Sequence, residues 1–134
     1  MKSRYAKMLA YDYTTLFEGW GIGSEGFGGG TVNHAWSGGP LTILSQKLCG
    51  IEPTAPGFKA FEVKPRMATL KTASASVETH YGMIRVQLSR RSAKSGVASL
   101  TVEVPEGTTA TVTASNGRPR TLAAGTYSLK IKVD

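Results

Sequence analysis

The spacing of apolar residues along this chain changes period near residue 58. Ahead of that point Leu41, Leu44 and Leu48 recur at i, i+3 and i+7 with Ile43 beside them, which is the spacing of a helix with one apolar face. Pro40 suits the first turn of this helix, where a missing N–H costs nothing, and Gly50 suits its C-terminal stop. A second, shorter helix with a thin apolar face is predicted over Lys2 to Leu9. Roughly thirty residues between the two helices keep neither period, and a loop of that length in a small domain signals function or missing partners.

Beyond Pro56-Gly57 the period becomes two. Phe61 and Val63 alternate with Glu62 and Lys64 until Pro65 ends the run. Ala73, Ala75 and Val77 form a weaker strand, followed by a turn at Tyr81-Gly82 and a stronger strand with Ile84, Val86 and Leu88 inward. Ala98, Leu100, Val102 and Val104 repeat the pattern, Pro105-Glu106-Gly107 turns the chain, and Ala110, Val112 and Ala114 lead to an Asn116-Gly117 hairpin signal. Tyr127, Leu129, Ile131 and Val133 close the series. The expected fold is mainly β with N-terminal helices, its six or seven short strands forming an antiparallel β-sandwich. The expected domains are residues 1–58, helical, and residues 59–134, the sandwich.

Composition fits a water-soluble globular domain, and no apolar run approaches the ~20 residues needed to cross a bilayer as a helix. The basic start Met1 to Ala10 lacks the apolar core of a signal peptide, so the periplasm and the cytoplasm of a bacterium both remain open. The net charge of +7 is uneven: residues 60–134 hold eleven Lys and Arg against five Asp and Glu. Lys130 and Lys132 alternate with apolar residues and fall on the solvent face of a strand. Without interleaved aromatics or a nucleic-acid-binding motif, these cations read as a solvated face, and no nucleic acid or membrane partner is expected. Cys49 is the lone cysteine and is expected as a packed thiol; with only His34 and His80 beside it, no metal site and no cofactor is expected.

The chemistry lies in the irregular stretch. Thr14-Thr15-Leu16-Phe17-Glu18-Gly19-Trp20 and Asn33-His34-Ala35-Trp36 bring together a carboxylate, an imidazole, an amide and aromatic rings. Rings stack on the apolar faces of a pyranose, amides and imidazoles hydrogen-bond its hydroxyls, and a carboxylate near apolar rings can have the shifted pKa that proton transfer uses. The formal G-x-G-x-x-G at Gly21 to Gly26 has no strand before it and no regular helix after it, and reads as a loop at the mouth of a site.

The two segments resemble the bacterial α-L-rhamnosidases of glycoside hydrolase family 78: Thr14 to Trp20 is similar to the segment with the family's general base, and Asn33-His34 to its sugar-contacting Asn-His. Phe17 and Gly19 stand where tryptophan and arginine are more usual in that family. The resemblance implies an inverting glycoside hydrolase acting on rhamnose-containing glycans or glycosides, with Glu18 as catalytic base and Asn33, His34, Trp20 and Trp36 on the sugar. It also implies that this chain is the C-terminal end of a longer polypeptide, holding the last helices of an (α/α)6 barrel and the sandwich after them. The family's general acid sits upstream on that barrel, and Asp12, Glu25 and Glu52, the other carboxylates ahead of residue 58, match no such motif. The chain alone is therefore expected to be inactive, and its helices, without the rest of the barrel, to pack on the sandwich, self-associate or stay mobile. The alternative is a noncatalytic β-sandwich that binds carbohydrate or serves as a structural module.

Overall fold

The computed structural model describes residues 5–19 and 31–133. Trp20, Glu25, the Gly21 to Gly26 run and the start of the predicted Lys2 to Leu9 helix lie outside the described residues. The chain divides into two compact units, Met1–Thr42 and Ile43–Asp134.

The second unit is a sandwich of two four-stranded sheets. One sheet contains β1 (Ile51–Pro53), β2 (Ala60–Val63), β6 (Thr109–Val112) and β7 (Arg120–Leu122), in that spatial order. The other contains β3 (Thr72–Thr79), β4 (Gly82–Ser89), β5 (Val97–Val104) and β8 (Gly125–Lys132), also in that order. Period-two alternation sends one side of each strand inward. Ile84, Val86 and Leu88 of β4 and Ala98, Leu100, Val102 and Val104 of β5 meet Ile51, Phe61, Val63, Ala110, Val112 and Leu122 of the facing sheet in one buried cluster. Each fully buried side chain of this size contributes about 1.5–3 kcal/mol by leaving water, so the cluster is the main source of the unit's stability. Central β5 pairs Leu100 with Leu88 on one side and with Leu129 on the other. The weak Ala73 to Val77 signal belongs to β3, an edge strand whose inner face is only partly buried.

Two strands escaped the sequence reading. Strands β1 and β7 have three residues each, too short to show a period, and Pro53 is tolerated in β1 because β1 lies at a sheet edge. Among the described pairings, β2 with β6 is parallel while the others are antiparallel. The predicted turns appear at Thr79 to Gly82 and at Pro105 to Thr108, where Gly107 has φ +76°. Asn116-Gly117 lies in a wider loop between β6 and β7 and does not form a two-residue hairpin. Buried Arg90 is also a surprise for a cation: its guanidinium donates to the carbonyls of Leu70 (2.7 Å), Ser95 (3.1 Å) and Ala68, tying together the loops on either side of it.

The helix predicted around Leu41 to Leu48 is composite: a 3-10 turn Ala35–Gly38, an α-helix Gly39–Ile43 and a π-helical turn Leu44–Leu48. The π turn packs against β1 and β3, and ends where the Cys49 N–H donates to the Leu44 carbonyl at 3.1 Å. Gly50 is the stop that the sequence signalled. Its φ is +79°, and a Cβ there would lie 2.2 Å from the carbonyl carbon of Lys64. Of the predicted apolar face, Leu41, Ile43 and Leu44 are exposed and Leu48 is half-buried. Among the described residues no helix is long and apolar enough to cross a membrane.

Candidate functional site

Within the first unit, two irregular segments run side by side. The Glu18 N–H donates to the Thr31 carbonyl at 2.9 Å, and the His34 N–H donates to the Leu16 carbonyl at 2.9 Å. The hydroxyl of Thr15 donates to the Val32 carbonyl, and that of Ser37 to the Phe17 carbonyl. Hydroxyl side chains here satisfy backbone acceptors that a helix or a sheet would otherwise occupy. Phe17 is buried beneath Tyr11 and Tyr13, whose ring centroids lie 5.4 and 5.9 Å from its own in edge-on geometry. That anchor fixes the backbone next to Glu18.

Glu18 is held by Thr31 and His34. Its Oε2 accepts the Thr31 N–H at 2.8 Å, and the same oxygen lies 3.5 Å from Nδ1 of His34. Nδ1 is also 3.4 Å from the Thr31 hydroxyl, whose oxygen lies 3.2 Å from the Asn33 carbonyl. The Trp36 ring leans on the imidazole at 4.8 Å between centroids. The Thr31 N–H is the largest influence on the Glu18 carboxyl and lowers its pKa; partial desolvation opposes it, while His34 and the Thr31 hydroxyl add to it. The shift that the sequence allowed for is thus downward, set by hydrogen bonding to the charged form, and the carboxylate stays ionised into mildly acidic solution.

Of the residues singled out in the sequence, Glu18 and His34 come together, Trp36 packs on the His34 ring and Asn33 contributes its carbonyl. Thr31 was missed, although it touches both. Its signal, a hydroxyl residue three positions before a histidine, is too common to stand out. Tyr11 and Tyr13 were missed as well, since a lone Tyr-x-Tyr has no helical or strand context. Asp12 and Trp36 are exposed, and Glu52 pairs with Lys47. Cys49 is a buried free thiol whose pKa is pushed up by burial, the signature of packing. Among the described residues no group of three His, Cys, Asp or Glu side chains gathers to hold a metal ion.

The family model described as the bacterial alpha-L-rhamnosidase C-terminal domain matches residues 50–127, more than half of the 134-residue chain. The chain belongs to this rhamnosidase C-terminal domain family. Its fold is similar to that of the α-L-rhamnosidase from Aspergillus terreus, with TM-score 0.75 and 24% identity over 95% of this chain and 15% of that one. The enzyme from Dictyoglumus thermophilum gives TM-score 0.74 and 17% identity over 96% of this chain and 17% of that one. The Streptomyces avermitilis enzyme, solved in complex with L-rhamnose, gives 0.67 and 23% over 88% and 14%. At these identities the likeness is one of fold. The chain spans about one sixth of the length of these structures or less. Comparison with curated proteins returns no match.

Proposed function

We propose that this chain supplies the base side of an inverting α-L-rhamnosidase-like active site that acts on terminal α-L-rhamnosides. Glu18 is the general base that takes a proton from the attacking water. His34, Asn33, Trp20 and Trp36 contact the sugar, and the general acid comes from helices upstream in the same polypeptide, with the sandwich bracing them. The observation that carries the reading is the fixed, ionised carboxylate of Glu18, hydrogen-bonded to the Thr31 N–H and set beside an imidazole and an exposed indole. Inversion needs two carboxyl groups about 6.5–9.5 Å apart, with room between them for the water and the sugar. A base must be ionised when substrate arrives, and hydrogen bonding that lowers its pKa secures this at some expense in basicity.

The chain alone then hydrolyses nothing, and the test is direct. An aryl α-L-rhamnoside is offered to this chain and to a longer polypeptide that continues upstream of it. The longer form is expected to release L-rhamnose first as the β anomer, followed by NMR, and to lose turnover on Glu18→Gln. Turnover that survives this substitution removes Glu18 from the mechanism, and turnover by the 134-residue chain removes the need for an upstream acid.

A second reading is that the sandwich binds carbohydrate by itself. The outer face of β3, β4 and β5 has a shallow hollow of about 500 Å³ lined by Thr72, Ser74, Gln87, Ser89, Ser99 and Thr101. It presents hydroxyls and an amide without an aromatic platform, so binding there would be weak. Glycan-induced NMR shifts confined to these residues would favour this reading, and an unchanged spectrum would dismiss it.

A further inference from the structure

We propose that Thr31 and Glu18 together fix the tautomer of His34, and with it the direction of the hydrogen bond that the cluster offers to a ligand hydroxyl. Nδ1 of His34 has two oxygen neighbours, Thr31 Oγ1 at 3.4 Å and Glu18 Oε2 at 3.5 Å. A hydroxyl has a single hydrogen, and that of Thr31 has two oxygen acceptors to go to, the Asn33 carbonyl 3.2 Å away and the Glu18 carboxylate. Only lone pairs of Thr31 Oγ1 are then left to face the ring. Glu18 Oε2 is itself an acceptor, already taking the Thr31 N–H at 2.8 Å. Both neighbours of Nδ1 are thus acceptors, and in the neutral imidazole Nδ1 carries the proton. The opposite tautomer would aim a nitrogen lone pair at a carboxylate.

Nε2 is consequently the bare nitrogen. Among the described residues nothing donates to it, the His34 side chain is 37% exposed, and the Trp36 ring lies against the imidazole at a tilt. A neutral ring in this state accepts a hydrogen bond at Nε2 and donates none there. The ligand group it selects is an O–H that donates. A hydroxyl bound in this way keeps its own lone pairs free for a second partner. Fluorine or a methoxy group in its place brings no hydrogen and leaves Nε2 unpaired, a loss that polar sites punish strongly. Thr31 is therefore a positioning residue: it acts on the ligand through His34 and through Glu18. Identifying the ligand as a sugar rests on the reading given under Proposed function; the tautomer does not.

The test is a long-range proton–nitrogen NMR correlation on the ¹⁵N-labelled chain without ligand, about two units above the ordinary histidine pKa of ~6.5. His80→Gln identifies the His34 signals. His34 is expected to show a protonated, pyrrole-type Nδ1 and a bare, pyridine-type Nε2; the reverse pattern overturns the proposal. Thr31→Val keeps the backbone N–H and the branched shape but removes one of the two acceptors at Nδ1, and is expected to move both nitrogens part of the way toward the Nε2–H pattern, Glu18 still holding the remainder. An unchanged spectrum in a folded Thr31→Val chain removes Thr31 from the role. Thr31→Ser is expected to retain the original pattern, and its loss would also count against the hydroxyl. If the valine variant does not fold, the parent and serine spectra still decide. In the longer polypeptide, Thr31→Val is expected to raise KM roughly tenfold with a smaller change in kcat, the scale of one weakened hydrogen bond. Inactivity of that polypeptide would remove the rhamnosidase reading and leave the spectra standing, whereas a reversed tautomer leaves the Glu18→Gln test untouched.

Discussion

The two units of this chain are stabilised by different forces. In the second unit seventeen buried apolar side chains, from both sheets and the segments flanking them, form one cluster, whereas the described part of the first unit buries Met8 and Phe17 and exposes Leu9, Tyr11, Tyr13, Trp36 and Leu41. The first unit is tied by hydrogen bonds around Glu18, and such bonds net only about 0.5–1.5 kcal/mol each, because water competes for the same groups. Stability and the proposed chemistry are thus divided between the units. The sandwich buries one large apolar cluster, while the described part of the first unit holds the Glu18–His34 pair and exposes more large apolar side chains than it buries.

The largest effect that sharpens this contrast is chemical. Glu18→Gln in the longer polypeptide is expected to cut kcat by roughly 10²–10⁴-fold, the range for a general base, while the thermal transition of the sandwich stays in place. A large fall in melting temperature would show that the division of labour is wrong. Next comes Leu100→Ala at the centre of the sandwich, where the side chain is fully buried. It should cost about 2–5 kcal/mol in urea unfolding, against less than ~0.5 kcal/mol for Leu41→Ala on the exposed face. Equal costs would mean that the exposed face is covered in solution, by self-association for example, and sedimentation would then show a dimer.

Smaller effects follow. Gly50→Ala combines a positive φ with a collision against the Lys64 backbone, and is expected to destabilise the sandwich by about 1–3 kcal/mol. The last prediction concerns pH. Glu18 has a lowered pKa in the folded chain, so its contribution to stability is complete above the pKa of the unfolded chain and is lost as pH falls through the folded value. Acid is therefore expected to perturb the amide signals of residues 14–19 and 31–34 before those of the sandwich, whose core contains no carboxylate. Simultaneous loss of both sets would break the contrast. The ¹³C titration midpoint of the Glu18 carboxyl is expected below that of an unstructured peptide.

Strands β3, β4, β5 and β8 were legible because eight residues give four inward positions, enough for a period to stand out against composition. Strands β1 and β7 were not, since three residues show no period and their place comes from a neighbouring strand. Likewise Glu18 and His34 stood out by the motifs around them, while Thr31 did not, because its bond to Glu18 joins residues 13 positions apart.

By itself, the sequence determined what is local: the two-residue period of the long strands, the glycine that must end the helix at Gly50, and the pairing of a carboxylate motif with an Asn-His. Tertiary structure decided what depends on distant parts of the chain. It set β2 parallel to β6, buried Arg90 among three carbonyls, and aimed the Thr31 N–H at Glu18. Side-chain period and turn chemistry are properties of neighbours along the chain. Strand partners, the satisfaction of a buried guanidinium and the pKa of a carboxylate are set by groups that only folding brings within hydrogen-bond reach.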